Sequence, residues 1–127
     1  MPLTAGLEAR TRRRLAEIGK RRSYQAEEVI VREGSTGTAL YIILSGTARV
    51  EREGGTIGQL SAGDFFGELA LIEEHPRSAT VVAATPTECL LFPAWEFTAL
   101  LNEHPEVAVP IMRALIARIH RREHHGA

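Results

Sequence analysis

Gly67-Glu-Leu-Ala-Leu-Ile-Glu-Glu-His-Pro-Arg77-Ser-Ala-Thr-Val-Val82 sets a carboxylate, Glu68, and a guanidinium, Arg77, on opposite sides of an expected short helical turn. Gly67 has no side chain, so its backbone approaches a ligand where a larger residue would clash. The next amides, at Glu68, Leu69 and Ala70, include donors left unsatisfied at the positive end of a helix. An anion there gains hydrogen bonds and a favourable dipole together. Arg77 supplies a permanent charge and a planar fork that fits two phosphate oxygens. Ser78 adds a hydroxyl, the Ala79 amide can follow, and Pro76 fixes the backbone before the arginine. An ionised Glu68 accepts a hydrogen bond from a sugar hydroxyl. A sugar joined to one phosphate uses all of these groups, so the expected ligand is a small nucleotide.

The flanking chain reads as short strands from Tyr24 to Phe92. Glu28–Arg32 is rich in β-branched residues, Leu40–Leu44 is an apolar run, and Ala48 and Val50 alternate with Thr47, Arg49 and Glu51. Gly54-Gly55 between two such runs signals a hairpin. Glycines at 34, 37, 46, 58, 63 and 67 fall near the expected strand ends. Short strands so punctuated fit a small β-barrel or a double-sheet roll. Before them, Leu7, Leu15 and Ile18 among charges predict an amphipathic helix reaching about Arg22. After them, Pro93 can open a helix to about Glu103, and Pro105 another. In the last helix Val107, Ile111, Leu115 and Ile119 recur at four-residue steps, with Ala108, Met112 and Ile116 beside them. That stripe suits packing on the roll, a lid over a ligand, or a seam between two copies. Pro110 falls early and would bend this helix more than end it.

Charge is distributed unevenly over the 127 residues, whose formal net charge is −1. Seven of the fifteen basic groups lie within the first 22 residues (Arg10, Arg12, Arg13, Arg14, Lys20, Arg21 and Arg22). All but three of the sixteen carboxylates (Glu8, Glu17 and Glu123) fall between Ser23 and Met112. A groove for a nucleic-acid backbone needs many basic side chains on one surface, and this body has the opposite sign. Arg77 stands apart, with Arg52 and Arg113 its nearest basic neighbours in sequence. One isolated cation beside a helix start suits one phosphate, the competing reading being an ion pair with a nearby glutamate.

Phe65–Thr85, FFGELALIEEHPRSATVVAAT, closely resembles the phosphate-binding cassette of cyclic nucleotide-binding domains. That family includes catabolite activators, regulatory subunits of cyclic-nucleotide-dependent kinases and cyclic-nucleotide-gated channels. The resemblance extends through Arg32-Glu33-Gly34, Leu40–Gly46 and Leu60–Phe65, and so over nearly the whole chain. It implies a mainly β fold: an eight-stranded β-roll (a jelly roll or double-stranded β-helix) with an N-terminal helix and C-terminal helices. One domain over 1–127 is expected, with a helical segment at 1–22, the roll at 23–92, the cassette at 65–80 and helices at 93–125. By position, Glu68 would bind the ribose 2′-hydroxyl. Arg77 would pair with the cyclic phosphate, helped by Ser78 and by amides around Gly67, Leu69, Ala70 and Ala79. The final helix of the family often closes over the base, which makes Ile116, Ile119 and His120 candidates for a lid.

The expected function is a sensor for cAMP, ahead of cGMP, that couples ligand capture to movement of the final helix. It is not expected to be an enzyme or to need a cofactor or metal. No Gly-x-Ser-x-Gly occurs, and Asp64 is the only aspartate. Cys89 is alone, so neither a disulfide nor a cysteine-held cluster is expected. His120 and His124 share a helical face, but a frayed C-terminus is a poor rigid scaffold for a metal site. No apolar run approaches the ~20 residues of a membrane span, and the amino terminus lacks a signal-peptide pattern. A cytoplasmic location is therefore expected. Only His120–Ala127 follow Ile119, too few for a helix-turn-helix, so no nucleic-acid partner is expected through this chain. The chain is then either a stand-alone domain or a fragment, with an effector or a second copy on its last helix as macromolecular partner. The alternative function is a decayed copy of the fold that binds no nucleotide and serves for dimerisation or docking.

Overall fold

A computed structural model of the chain describes residues 9–37, 39–67 and 75–124. Helix α1 (Ala9–Ile18) leads into strands β1 (Lys20–Tyr24), β2 (Val29–Val31), β3 (Thr36–Gly37), β4 (Ala39–Ser45), β5 (Thr47–Arg52), β6 (Gly55–Ser61) and β7 (Phe65–Phe66). Strands β8 (His75–Pro76), β9 (Thr80–Ala83) and β10 (Thr87–Pro93) follow, then helices α2 (Ala94–Glu103) and α3 (Pro105–His124). Eight of these strands form two antiparallel four-stranded sheets, in the orders β1-β10-β4-β7 and β2-β9-β5-β6. The remaining two, β3 and β8, make a two-stranded ribbon that joins the loop before β4 to the segment carrying Arg77. The fold is the expected roll with helices at both ends.

Strand β4 explains how the layers hold together. Its side chains alternate, as the two-residue period of a strand requires. Leu40 and Ile42 join Leu15 of α1, Phe65, Leu90, Phe92, Phe97 and Leu100 of α2, and Val107, Ile111 and Ala114 of α3 in one core. Tyr41 and Ile43 face the other way, into a second core with Ala48, Val81 and Ala83 of the opposite sheet. A strand buried on both faces reads as a continuous apolar run. Cys89 belongs to the second core, and burial pushes its thiol up to about 12. It is a small buried hydrophobe at neutral pH.

Two boundaries differ from expectation. Helix α1 ends at Ile18, and Lys20–Arg22, expected in the helix, form strand. Gly19 lies against Phe92, and a Cβ there would come within 2.5 Å of the Phe92 ring. That close approach ends the helix and delivers Lys20–Tyr24 to a ladder with β10, Lys20 opposite Leu91 and Tyr24 opposite Thr87. As the edge strand of its sheet, β1 exposes Lys20, Arg21 and Arg22, charges that discourage further strand pairing. The second difference is one residue: Arg52 pairs with Gly55, so the hairpin turn is Glu53-Gly54. Both have positive φ, 52° and 82°, the geometry that matches strand twist in a two-residue turn.

The helices after Pro93 fall where the prolines predict. Pro93 caps α2, and α3 runs from Pro105 through Pro110 without ending. Of the expected stripe on α3, Val107 and Ile111 are buried and Ala114 joins them. Met112 and Ile116, expected beside the packed stripe, are more than half exposed, as is Val109. Three apolar side chains at three- and four-residue spacing thus form a second, uncovered line along α3.

Ion pairs brace the outside of the second sheet. Arg49 spans Glu27 (2.6 Å) and Glu51 (2.6 Å), and Glu27 holds a left-handed backbone, φ 71°. The Arg49 guanidinium keeps the Glu27 carboxyl below its ordinary value of 4.5. The unfolded chain therefore takes up this proton at higher pH than the folded one. The stabilisation is complete above 4.5 and is lost as pH falls through the lower folded value. Melting between pH 3 and 6 is expected to show an acid-side loss of Tm that Glu27→Gln flattens.

Candidate functional site

Arg77 is fixed first through its backbone. Its amide donates to the Ser35 carbonyl (2.7 Å), and its carbonyl accepts from the Gly34 amide (2.8 Å). Pro76 immediately before it pairs with Thr36. The side chain then passes between two glycines. A Cβ on Gly37 would collide with the Arg77 Nε and Cζ atoms, and one on Gly67 with Nη1. Gly67 also has φ +83°, a conformation that side-chain-bearing residues rarely adopt. The guanidinium Nη2 donates to the Ala39 carbonyl at 3.1 Å. That carbonyl lies beyond the last paired residues of β4 and β7, Tyr41 with Phe66, so the arginine supplies a donor where the ladder has stopped.

A cavity of about 330 Å³ opens beside the guanidinium, walled by Val29, Val31, Ser35, Gly37, Tyr41 and Arg77. This is near the lower end of the range for small-molecule sites. Among the described residues no carboxylate stands within ion-pair distance of Arg77, whereas Arg21 has one and Arg14 and Arg49 have two each. The site therefore combines an open hollow with a guanidinium that is held by a carbonyl and has no carboxylate partner among the described residues.

The residues singled out from sequence fall into three groups. Gly67, expected to leave room for a ligand, leaves room for the Arg77 guanidinium. Ser78 is exposed and Ala79 buried; neither lines the cavity, and the Ser78 carbonyl instead accepts from Arg52 Nε at 2.9 Å. Glu68, Leu69 and Ala70 lie outside the described residues, as do Glu73 and Glu74. Ile116 is 52% exposed, and the side chains of Ile119 and His120 fall outside the described part. Sequence reading missed Gly37, Tyr41 and the Ala39 carbonyl. Gly37 carried a faint signal, being a second glycine within four residues of Gly34, but nothing tied it to Arg77 forty residues later.

The chain is an antiparallel β-roll with helical ends in which two arginines, Arg32 and Arg77, line one hollow. The family model for the cyclic nucleotide-binding domain matches residues 21–104, and the chain belongs to that family. Among curated relatives, it is 36% identical over 114 residues to a cAMP-dependent protein kinase regulatory subunit of Schizosaccharomyces pombe, covering 89% of this chain and 27% of that protein. It is 44% identical over 68 residues to a cGMP-dependent protein kinase of Eimeria tenella, covering 54% of this chain and 7% of that protein. Among solved structures, the Thermus thermophilus catabolite activator protein superposes with a TM-score of 0.76 at 32% identity, over 98% of this chain and 61% of that one. The chain spans between 18% and 27% of the length of the first three curated relatives. Among the described residues no helix is long and apolar enough to cross a membrane.

Proposed function

We propose that this domain is a regulatory sensor that captures a 3′,5′-cyclic nucleotide, cAMP in preference to cGMP, with Arg77 on the cyclic phosphate. The observation that carries this reading is the guanidinium held at the cavity by two glycines and a carbonyl, without a carboxylate partner among the described residues. Phosphate contact with such a group is a charge-assisted pair in a partly dry site. Glu68 takes the ribose 2′-hydroxyl; Ser78, which does not line the cavity, would reach the phosphate only after a rearrangement of its segment. The preference for cAMP is supported by the relatives whose names specify it, three regulatory subunits of cAMP-dependent kinases matching 69–89% of this chain. No bond is made or broken; the domain binds, and the output belongs to another module or protein.

The uncovered line Val109, Met112 and Ile116 supports α3 as the responding element. A ligand shifts such a helix only by its difference in affinity for the two arrangements. Closure of α3 over the base, by Ile116, Ile119 and His120, would cover part of this line. The same line supports the second reading, a docking or dimerisation module that binds no nucleotide. Calorimetric titration of the nucleotide-free protein with cAMP and then cGMP separates the two. Saturable binding, tighter for cAMP, is expected; absence of heat and of thermal shift at millimolar nucleotide would leave the docking reading standing. Glu68→Gln is expected to weaken cAMP more than 2′-deoxy-cAMP, and equal losses for both would remove Glu68 from the ribose.

A further inference from the structure

The Arg77 guanidinium also rests against an aromatic ring. Its Cζ lies 5.8 Å from the centroid of Tyr41. That ring is itself stacked on Phe66, with centroids 4.9 Å apart and planes within 3°. Tyr41 and Phe66 are paired across β4 and β7, and both are buried. Phe66 directly precedes Gly67, whose missing side chain makes room for Nη1. The Arg77 guanidinium, Tyr41 and Phe66 thus form a chain of contacts from the cavity to the start of the cassette.

We propose that Tyr41 is a positioning residue for Arg77: its ring, steadied by Phe66, holds the guanidinium at the cavity without cancelling its charge. A carboxylate would hold an arginine more tightly, but it would neutralise the group that the phosphate needs. A π face and a carbonyl oxygen attract the cation while leaving its net charge intact. One N–H is committed to Ala39, and a planar fork offers several more. A confined arginine also loses less rotamer freedom on capturing an anion than a free one does.

This inference rests on the nucleotide reading of the Arg77 site, but its first test needs no nucleotide. In the ligand-free protein, ring current from Tyr41 is expected to move the Arg77 δ-proton resonances away from those of a free arginine. Tyr41→Phe keeps that shift and Tyr41→Leu removes it. Absence of any shift in the wild-type protein overturns the proposal, even if the leucine variant fails to fold. In titration with cAMP, Tyr41→Leu is expected to weaken binding about threefold to fivefold, and Tyr41→Phe to bind as wild type. In an Arg77→Ala background, Tyr41→Leu is expected to cost nothing further. An equal loss in that background would mean that the ring acts through the fold or on the ligand, and would also overturn the proposal. Ring-shifted Arg77 resonances in a protein that binds no cAMP would uphold the positioning role and remove the nucleotide reading.

Discussion

Arg77→Ala is expected to weaken cAMP binding about thirty- to a hundredfold, the equivalent of roughly 2–3 kcal/mol. The loss is large because Arg77 is the anchored cation of the cavity: Arg32, the other described cation lining it, is exposed, whereas the Arg77 guanidinium is held on the Ala39 carbonyl. Removing the side chain also leaves the Ala39 carbonyl without the donor that Nη2 supplies. A small loss of stability should therefore accompany the loss of affinity. The two are separable by measuring Tm with and without nucleotide. At a ligand concentration a hundred times Kd, binding raises the wild-type stability by about 2.7 kcal/mol, and the variant should show little of that gain. Arg77→Lys is expected to fall between the two. A lysine keeps the charge but is a point donor on a flexible stem, and it cannot present a planar fork to carbonyl and phosphate together. Wild-type affinity in both variants would take the anion site away from Arg77.

The roll was legible because its strands repeat a simple pattern. The apolar run in β4 faces a core on each side, and glycines stand at strand ends where φ turns positive: Gly34, Gly46, Gly63 and Gly67. The helical ends were legible from Pro93, the last residue of β10, and Pro105, since a proline fits the start of a helix. What misled was the stretch Lys20–Arg22. Three basic residues following an amphipathic segment extend a helix by local propensity, and only a partner strand seventy residues away makes them β. Tertiary pairing of that kind leaves no local mark.

The site was legible only in its local half. Gly67, Arg77 and their neighbours lie within one short segment, so their chemistry could be weighed together. Gly37, the Ala39 carbonyl and Tyr41 come from β3 and β4, and a backbone carbonyl has no signature in any sequence. Tyr41 sits inside the apolar run Leu40–Leu44 and reads there as one more core aromatic. Likewise Met112 and Ile116 were placed beside a packed stripe, since helical period alone gives the angular spacing of apolar residues but not how wide a face the roll covers.

Gly67→Ala is expected to abolish the nucleotide-induced thermal shift while the protein still folds with a lowered Tm. The substitution has two separate effects. Holding a residue with a Cβ in the left-handed region costs about 1–2 kcal/mol, and φ at this position is +83°. The new methyl would also meet Arg77 Nη1 and come within 2.6 Å of the Ala39 carbonyl oxygen. The carbonyl belongs to a strand held in the sheet, whereas the guanidinium is the end of a long side chain. The arginine is therefore the group that yields, and it yields by leaving the position in which it faces the cavity. Gly46→Ala separates strain from displacement. It has φ +91° and a Cβ there would collide with the Pro86 carbonyl, which is backbone. Gly46 touches Pro86 and Thr87, and neither lines the cavity. Its alanine variant should lose at least as much stability and keep its affinity for cAMP in the fraction that folds. If Gly67→Ala loses stability alone, like Gly46→Ala, then Gly67 serves the turn and not the placement of Arg77.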